Sequence, residues 1–334
     1  MPRKRWIIAI AIVVLFFVLR FFALKPPRQK LRGDFVGQSP PDATPAIFAP
    51  NFISNQFNER DAAFTPDGRE FYYSLWTGAF GLILQTKRDD SVWSEPEIAP
   101  FSGRFSDMEP FITHDGARLY FVSNRPHQGD ERKDYDIFYV ERTTVGWSEP
   151  VRLDSTINQS GNEFYPTLTK DGTLYFTAHR QDSYGGEDIY RSEFLNGAFQ
   201  LPENLGPSIN SVHGEFNALI APDESYIIFS SFGRPDGLGG GDLYISFYET
   251  GEWTPAMNLG DSINSPQLDY CPALSPDGSF FFFTSRRHSV ALNPESPQHL
   301  RDLRKQLSTY GNGNDDIYWV KSDFRGKVLN NHNK

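Results

Sequence analysis

The stretch that decides the fold is PFITHDG at residues 110–116, which is followed by LYFV at residues 119–122. The dipeptide Asp115-Gly116 stands between two apolar runs. This is a strong hairpin signal, because glycine accepts the positive φ that a tight, twisted turn demands. The aromatic and β-branched residues on both sides favour strands. The stretch therefore predicts two antiparallel strands joined at Asp115 and Gly116.

This pattern occurs five times along the chain. The turn aspartates are 48, 56, 52 and 54 residues apart and are Asp67, Asp115, Asp171, Asp223 and Asp277. In four units a third strand begins at an aspartate, namely Asp136, Asp188, Asp242 and Asp316. A short fourth strand carries an aromatic residue in the first four units, namely Trp93, Trp147, Phe199 and Trp253. Four strands in each repeat of about 50 residues predict one propeller blade per repeat.

The last unit has no Trp-containing fourth strand after Asp316. The segment PAIFAP at residues 45–50 precedes the first unit and resembles PEIAP at residues 96–100, which ends the first unit's fourth strand. We therefore expect the N-terminal strand to complete the last blade and close the ring, which removes exposed sheet edges. The prediction is an all-β, five-bladed propeller of four-stranded blades; six blades, with one of them degenerate, is the alternative.

The repeat resembles the WD40-like (PD40) propeller repeats of the TolB family. The resemblance rests on segments such as PTLTKDG at 166–172 and PALSPDG at 272–278, and on GEDIY at 186–190 and GGDLY at 240–244. It covers residues 45–320 and implies a β-propeller outside the cytoplasm with an envelope protein or glycan as partner. Such repeats serve binding proteins, sensors and enzymes alike, so function has to be argued from the site.

Composition excludes several classes of protein. Aromatic residues make up 15% of the chain, which also has 27 glycines and 24 prolines, a profile of short strands and tight turns rather than of a helical bundle or a disordered chain. The single cysteine, Cys271, excludes an intramolecular disulfide and a multi-cysteine zinc site. Residues 1–32 hold eight basic residues and no acid, while the remainder has 24 basic and 42 acidic residues. An acidic globular part is a poor partner for nucleic acid.

The N-terminal segment is apolar from residue 6 to residue 24, interrupted by Arg20 and preceded by Arg3, Lys4 and Arg5. About 19 such residues just span a bilayer, and no small-x-small cleavage site follows. Residues 1–24 are therefore predicted to be a signal anchor, with a cleaved signal peptide as the alternative. Residues 25–44 are predicted to be a linker, 45–320 the propeller and 321–334 a C-terminal tail. The propeller is expected to be membrane-anchored on the periplasmic or extracellular side.

An acid stands eight residues before each turn aspartate, namely Glu59, Asp107, Glu163, Glu215 and Asp269. Blade topology places these acids on the face opposite the hairpins, near the channel, together with the arginines that follow the second strands: Arg125, Arg180, Arg234 and Arg286-Arg287. The ring is interpreted as structural, with the arginines as partners, or as a binding rim for a sugar, a cationic peptide or a cation such as calcium. The first unit has Thr77 where Arg125 stands, so Glu59 is expected to be the least well paired acid and Glu163 a paired one.

A real ligand site usually breaks the symmetry of a repeat, so irregular residues on that face are the other site candidates. They are Trp76, His127, Asp130, Glu131, His179, Tyr184, Phe232 and Arg234. The strand-start aspartates are interpreted as structural, through Asx-type bonds to the neighbouring loop. No other cofactor is predicted.

The function that these patterns favour is a membrane-anchored binding or scaffold module for a protein, glycan or cation at the channel face. The alternative is a propeller carbohydrate hydrolase or lyase that uses two channel carboxylates as acid and base. Such a pair needs environments that push the two pKa values apart.

Overall fold

The structure is a computed structural model that describes residues 31–126, 134–288 and 295–323. Its strands form five antiparallel blades around one axis. Blade 1 consists of β2 (Asn58–Phe64), β3 (Glu70–Trp76), β4 (Gly81–Asp89), β5 (Val92–Trp93) and β6 (Glu97–Ile98). Blade 2 consists of β7 (Asp107–Ile112), β8 (Arg118–Ser123), β9 (Asp136–Thr143), β10 (Gly146–Trp147) and β11 (Val151–Arg152).

Blade 3 consists of β12 (Glu163–Leu168), β13 (Leu174–Ala178), β14 (Asp188–Ser192), the hairpin β15 (Phe194–Leu195) and β16 (Ala198–Phe199), and β17 (Glu203–Asn204). Blade 4 consists of β18 (Gly214–Ile220), β19 (Tyr226–Phe232), β20 (Asp242–Glu249), β21 (Glu252–Trp253) and β22 (Met257–Asn258). Blade 5 consists of β23 (Asp269–Leu274), β24 (Phe280–Ser285), β25 (Asp316–Lys321) and β1 (Ala46–Ile47). One short helix, α1 (Leu300–Leu307), lies between β24 and β25.

The predicted hairpins are present, with the turn aspartate fixing each of them. In blade 1 the carboxylate of Asp67 accepts hydrogen bonds from Thr65 Oγ1 at 2.6 Å and from the backbone N–H of Arg69 at 3.0 Å, and Gly68 has a φ of +64°. In blade 4 a non-glycine residue, Glu224, takes that left-handed conformation with a φ of +63°. Its carboxylate accepts a hydrogen bond from Tyr175 Oη at 2.6 Å on the neighbouring blade, a contact that offsets the backbone cost.

Ring closure by the N-terminal strand is confirmed, and the number of blades is five. β1 pairs antiparallel with β25, with Ala46 opposite Trp319 and Ile47 opposite Tyr318. The backbone N–H of Phe48 continues the pairing by donating to the carbonyl of Ile317 at 2.8 Å. β25 ends at Lys321, one residue beyond the predicted limit of the propeller.

The described part of the predicted linker lies against the propeller. Gly33 N donates to the carbonyl of Ser91 at 3.0 Å, Val36 is buried, and the ring of Phe35 packs on Phe280 and Trp319. The apolar segment at residues 6–24 lies outside the described residues. Among the residues that are described, no helix has both the length and the apolar character needed to cross a bilayer.

All five innermost strands contain a β-bulge two residues after the ring acid. The register of each strand shifts at this point, and the bulge residue has a positive φ of 50–64° although none of the five is glycine. These bulge residues are Asp61, Glu109, Tyr165, Asn217 and Cys271. A bulge breaks the two-residue alternation of a strand and re-aims the side chains that follow it. The bulge therefore determines which side chains of each innermost strand point into the channel.

Candidate binding site in the propeller channel

Blade 4 shows how the predicted ring of acids is held. Glu215 is fully buried, and Arg234 donates from Nη2 to its Oε1 at 3.0 Å. Nε of Arg234 donates to Ser231 Oγ at 3.1 Å, and Nη2 also donates to the backbone carbonyl of Ile209. We call these three contacts the arginine staple. They join the arginine to the ring acid, to the serine near the end of the second strand (the strand-end serine), and to a backbone carbonyl of the loop that leads into the innermost strand (the crossover carbonyl).

The same staple holds blades 2 and 5. Asp107 is 2.7 Å from Nη2 of Arg125, and Asp269 is 2.7 Å from Nη2 of Arg287. In both blades Nε of the arginine donates to the strand-end serine at 2.8 Å. In blades 2 to 5 the guanidinium also lies 4.9–5.3 Å from the centres of two aromatic rings of its own blade. In blade order, these ring pairs are Phe121 with Phe138, Phe176 with Tyr190, Phe229 with Tyr244, and Phe283 with Tyr318. These stacks add cation–π attraction to the ion pairs.

Blade 3 departs from the expectation that Glu163 is well paired. Arg180 Nη2 is 3.9 Å from Glu163 Oε1, and the residue opposite Glu163 is Ala178, where blades 2, 4 and 5 have serine. Without that hydroxyl, Nε of Arg180 and Oε2 of Glu163 are buried with no hydrogen-bond partner in the described parts of the chain. Burial raises the pKa of Glu163 to about 8, because this distant arginine offsets little of the desolvation.

Blade 1 has no staple, as Thr77 predicts. Leu75 stands opposite Glu59 in place of serine. Glu59 Oε2 accepts the backbone N–H of Asn55 at 3.1 Å, whereas Oε1 is buried and has no partner among the described residues. Burial, with a smaller contribution from the charge of Asp316, raises the pKa of Glu59 to about 8. Glu59 has no arginine partner among the described residues, and Glu163 shares much of its isolation.

The other predicted site residues are spread over the loop face, meaning the side of the ring opposite the hairpins. Tyr184 and Arg234 line a cavity of about 450 Å³ between blades 3 and 4, together with Val212 and His213. His179 is exposed, and its Nδ1 lies 2.5 Å from the carbonyl of Gly186. The remaining candidates are the half-buried Trp76, the exposed Phe232, and His127, Asp130 and Glu131, which lie outside the described residues.

The strand-start aspartates bind the loops that precede them. Asp188, Asp242 and Asp316 accept backbone N–H groups from residues four or five positions earlier, at 2.6–2.7 Å. Asp136 pairs with Arg152, whose Nε donates at 2.6 Å. Asp188, Asp242 and Asp316 thus make the expected tie to the neighbouring loop, through an N–H that precedes the aspartate rather than through an Asx turn.

The bulge residues and Arg60 form a polar cluster that sequence reasoning missed. Arg60 donates to Asp61 at 3.0 Å, to Glu109 at 2.8 Å and to the sulfur of Cys271 at 3.3 Å, and its guanidinium lies 4.9 Å from the ring centre of Tyr270. A signal was available, since the residue two positions after each ring acid differs in every unit. The irregular residues lie in the strands rather than in the loops.

Glu109 is the centre of this cluster. Its Oε2 accepts the backbone N–H of Tyr165 at 2.7 Å, and its Oε1 accepts both Arg60 and Asn217 Nδ2, the latter at 3.4 Å. In the neighbouring blades the bulge N–H donates to a second-strand hydroxyl, as Glu109 N does to Ser74 at 2.9 Å. At the position that would supply this hydroxyl to the N–H of Tyr165 stands Val122, which has none. The carboxylate of Glu109 accepts this N–H instead. Burial raises the pKa of Glu109 to about 7, against the lowering effect of Arg60.

The cluster closes the channel. Glu109 of blade 2 contacts Asn217 of blade 4, and Tyr165 Oη of blade 3 donates to the carbonyl of Pro272 of blade 5 at 3.0 Å. Blades that are not adjacent in a five-membered ring can meet only across its axis. All five bulge residues are buried, and burial raises the pKa of the Cys271 thiol well above its usual range, so this thiol is not an activated nucleophile.

An axial cavity of about 520 Å³ opens on the hairpin face above this cluster. Glu109 and Tyr165 reach it from the level of the bulges, and its wall is formed mostly by proline, aromatic and aliphatic residues, including Phe64, Pro110, Phe111, Pro166, Pro222 and Tyr226. None of the five ring acids lines it. The cavity therefore lies on the face opposite the one where the sequence placed the candidate rim.

The polar side chains that line the axial cavity are largely engaged within the protein. His114 Nε2 lies 2.9 Å from the carbonyl of Leu168, and Thr167 Oγ1 donates to the carbonyl of Ala218 at 2.7 Å. Ser275 Oγ donates to Asp277 at 2.6 Å. Over the described residues, no group of three or more His, Cys, Asp or Glu side chains is placed to hold a metal ion. Fold and site thus define a five-bladed β-propeller with a blocked channel and a mainly apolar axial cavity.

No protein family model matches this chain, and neither does any curated protein. Solved structures similar to it include TolB from Acinetobacter baumannii, with 16% identity, a TM-score of 0.45, and 80% of this chain and 55% of that chain covered. The chain thus spans about half the length of that TolB. Another is the putative TolB from Agrobacterium tumefaciens, with 16% identity, a TM-score of 0.48, and 80% and 91% covered. A third is an α-L-arabinofuranosidase from Podospora anserina, with 11% identity, a TM-score of 0.49, and 85% and 99% covered. At these identities the likeness concerns the fold alone.

Proposed function

We propose that this propeller is a binding module that holds an apolar polypeptide segment of a partner protein in the axial cavity of the hairpin face. The observation that carries the proposal is the cavity itself. Its volume of about 520 Å³ falls in the range typical of ligand pockets, and proline, aromatic and aliphatic residues form most of its wall. A glycan needs many directional hydrogen bonds, and His114, Thr167 and Ser275 already use theirs within the protein. An apolar segment needs few.

A photo-crosslinking amino acid at Lys170 tests this proposal, because Lys170 is exposed and lines the cavity. We expect a discrete protein adduct in cells. We expect no adduct when the same amino acid replaces Val145, which is 94% exposed in the β9–β10 turn and does not line the cavity. Filling the cavity with Ala273→Trp should abolish the Lys170 adduct. An adduct that survives Ala273→Trp would refute the cavity as the site.

A carbohydrate hydrolase is the second candidate, and one observation favours it. Two carboxyl groups line the cavity with pKa values shifted in opposite directions, Glu109 upward to about 7 and Asp277 downward through bonds from Ser275 and Ser279. Such a divergence is typical of an acid and base pair. However, the oxygens of both carboxyl groups are occupied by internal hydrogen bonds. Release of reducing sugar from a polysaccharide panel, lost in Glu109→Gln, would favour this second function.

We further propose that residues 6–24 tether the propeller to a membrane with the propeller on the extracytoplasmic side. The apolar run after Arg3, Lys4 and Arg5 supports this orientation. Alkaline phosphatase fused after residue 334 should be active, and a cytoplasmic reporter fused at the same place should be inactive. The reverse result would refute the orientation.

A further inference from the structure

We propose that the insertion between β24 and β25 docks on an anionic lipid surface through α1. This helix has the sequence LRDLRKQL and no buried residue. Leu300 and Leu307 are 61% and 48% exposed, and Leu303 is half-buried. Leucines at positions i, i+3 and i+7 form one narrow apolar stripe along a helix. The stripe is exposed at its two ends, Leu300 and Leu307.

The charges around the stripe decide which partner fits. Arg301, Arg304 and Lys305 flank it, Asp302 is the only acid of the helix, and the side chain of Arg301 is 92% exposed. The chain as a whole has a formal charge of −10, so this basic helix stands on an otherwise acidic propeller. A basic face beside exposed leucines complements a surface with anionic headgroups over hydrocarbon. The acidic remainder of the propeller is less suited to such a surface, which makes α1 the part that docks.

Hydrogen bonds fix the base of the insertion to the propeller, so α1 is held in place rather than loosely attached. His288 pairs with Asn312, and Asn312 and Asn314 donate through Nδ2 to the carbonyl of Gln56, at 3.2 and 2.9 Å. Asn312 Nδ2 also lies 3.3 Å from the carbonyl of Leu307. These bonds tie the C-terminal end of α1 to the loop that leads into blade 1. A fixed base lowers the entropy that the helix would lose on docking.

The test follows α1 itself, because residues 6–24 would hold every variant of the full chain on vesicles. Gln306→Cys is labelled with an environment-sensitive fluorophore; Cys271, the one natural cysteine, is fully buried. The full-length protein is reconstituted in vesicles of phosphatidylcholine with 30% phosphatidylserine or in phosphatidylcholine alone. Protection of the fluorophore from an aqueous quencher measures the ratio of docked to free α1.

We expect strong protection in vesicles with phosphatidylserine and little in phosphatidylcholine alone. Arg301→Gln with Arg304→Gln should lower the docked-to-free ratio about 25-fold, that is about fivefold for each basic side chain. Leu300→Ser with Leu307→Ser should abolish protection. The matched controls are Arg104→Gln, an exposed arginine of another loop, and Leu201→Ser, which replaces a leucine 81% exposed on blade 3; both should leave it unchanged.

Three results would overturn the proposal. Equal protection in both kinds of vesicle would exclude a role for anionic headgroups. Protection that survives the double glutamine variant would exclude the basic flank. Protection that rises with protein concentration in detergent without vesicles would assign the stripe to a second copy of the chain instead.

Discussion

Blades 4 and 1 hold an equivalent buried acid in opposite ways. In blade 4, Glu215 bonds to Arg234, which is oriented by a serine and stacked on two rings. In blade 1 the arginine, the serine and the third-strand ring are all replaced, by Thr77, Leu75 and Leu84. In blade 1 the arginine is therefore replaced together with the serine and the third-strand ring that contact it in blade 4, whereas blade 3 lacks only the serine.

Blade 1 adjoins the closure seam, and aromatic packing holds it there instead. Phe48, directly after β1, lies 5.2 Å from the ring of Phe71 in blade 1 and 5.1 and 5.3 Å from Phe282 and Trp319 in blade 5. The corresponding residues in the other blades, identified by the same backbone bond to the third strand, are Ala99, Leu153, Leu205 and Leu259. The seam therefore relies on buried rings, whereas blades 2, 4 and 5 rely on a buried ion pair.

The largest effect is expected at the seam. Phe48→Ala should lower the free energy of unfolding by about 4 kcal/mol, because it opens a cavity in the aromatic cluster. It should also loosen β1 and expose the edge of β25, so that the variant self-associates. Leu259→Ala is the matched control, with a loss of about 3 kcal/mol and no self-association. Denaturant unfolding and size-exclusion chromatography measure the two effects. Association by both variants, or by neither, would contradict the special role of the seam.

Removing the staple should come next. Arg234→Met keeps an apolar side chain between Phe229 and Tyr244 but leaves Glu215 buried without its cation. We expect a loss of about 3 kcal/mol in the free energy of unfolding. The control is Arg118→Met, which breaks an exposed pair with Glu141 and should cost less than about 1 kcal/mol. Equal losses in the two variants would show that the staple is no stronger than a surface ion pair.

The pH dependence should separate the unpaired acid from the paired one. Burial raises the pKa of folded Glu59 to about 8, whereas about 4.3 is usual for an unfolded glutamate. Between these values the folded chain binds the extra proton, so this group's contribution to stability falls as pH rises and is lost above about pH 8. The free energy of unfolding of Glu59→Gln should therefore rise relative to that of the parent, by roughly 2 kcal/mol, as the pH is raised from 6 to 8.5. Glu215→Gln should be less stable than the parent at both.

Adding calcium tests whether the buried carboxylate of Glu59 is neutralised by a proton or by a bound metal ion. The same unfolding experiments are run with calcium and with a chelator. A calcium-dependent stabilisation of the parent that disappears in Glu59→Gln would replace the pH argument by a cation site. Glu163, with a pKa also raised to about 8, should follow Glu59 rather than Glu215, which reverses the expectation from sequence that Glu163 is a paired acid.

Features that repeat could be predicted from the sequence, and single exceptions inside strands could not. The hairpin turns and the arginine partners recur at similar positions in successive units, and the closing strand resembles the end of the first unit's fourth strand. The absence of a partner was visible at Thr77 because a loop position is read directly. The bulges are different, since a shift of one residue reverses the inside and outside of a strand. Asp61 and Glu109 therefore looked like ordinary strand residues. Their contacts join blades far apart in sequence, which no spacing encodes.

The smallest expected effect is also the sharpest test of why the Arg180–Glu163 ion pair of blade 3 is weak. Ala178→Ser supplies the hydroxyl that blades 2, 4 and 5 have opposite the ring acid, at a position where Nε of Arg180 has no partner in the described structure. The new Oγ should accept from Nε and draw the guanidinium toward Glu163, whose carboxylate now lies 3.9 Å away. One added hydrogen bond to a charged group should raise the free energy of unfolding by about 1 kcal/mol at pH 7. Glu163 should then titrate nearer its ordinary pKa, so the gain should grow with pH up to about 8. The control is Ala218→Ser, a buried alanine of blade 4 in an apolar cluster outside the staple, which should lose stability by leaving a hydroxyl in apolar surroundings. A loss in Ala178→Ser as large as in this control would mean that geometry, rather than the missing hydroxyl, keeps Arg180 from its acid.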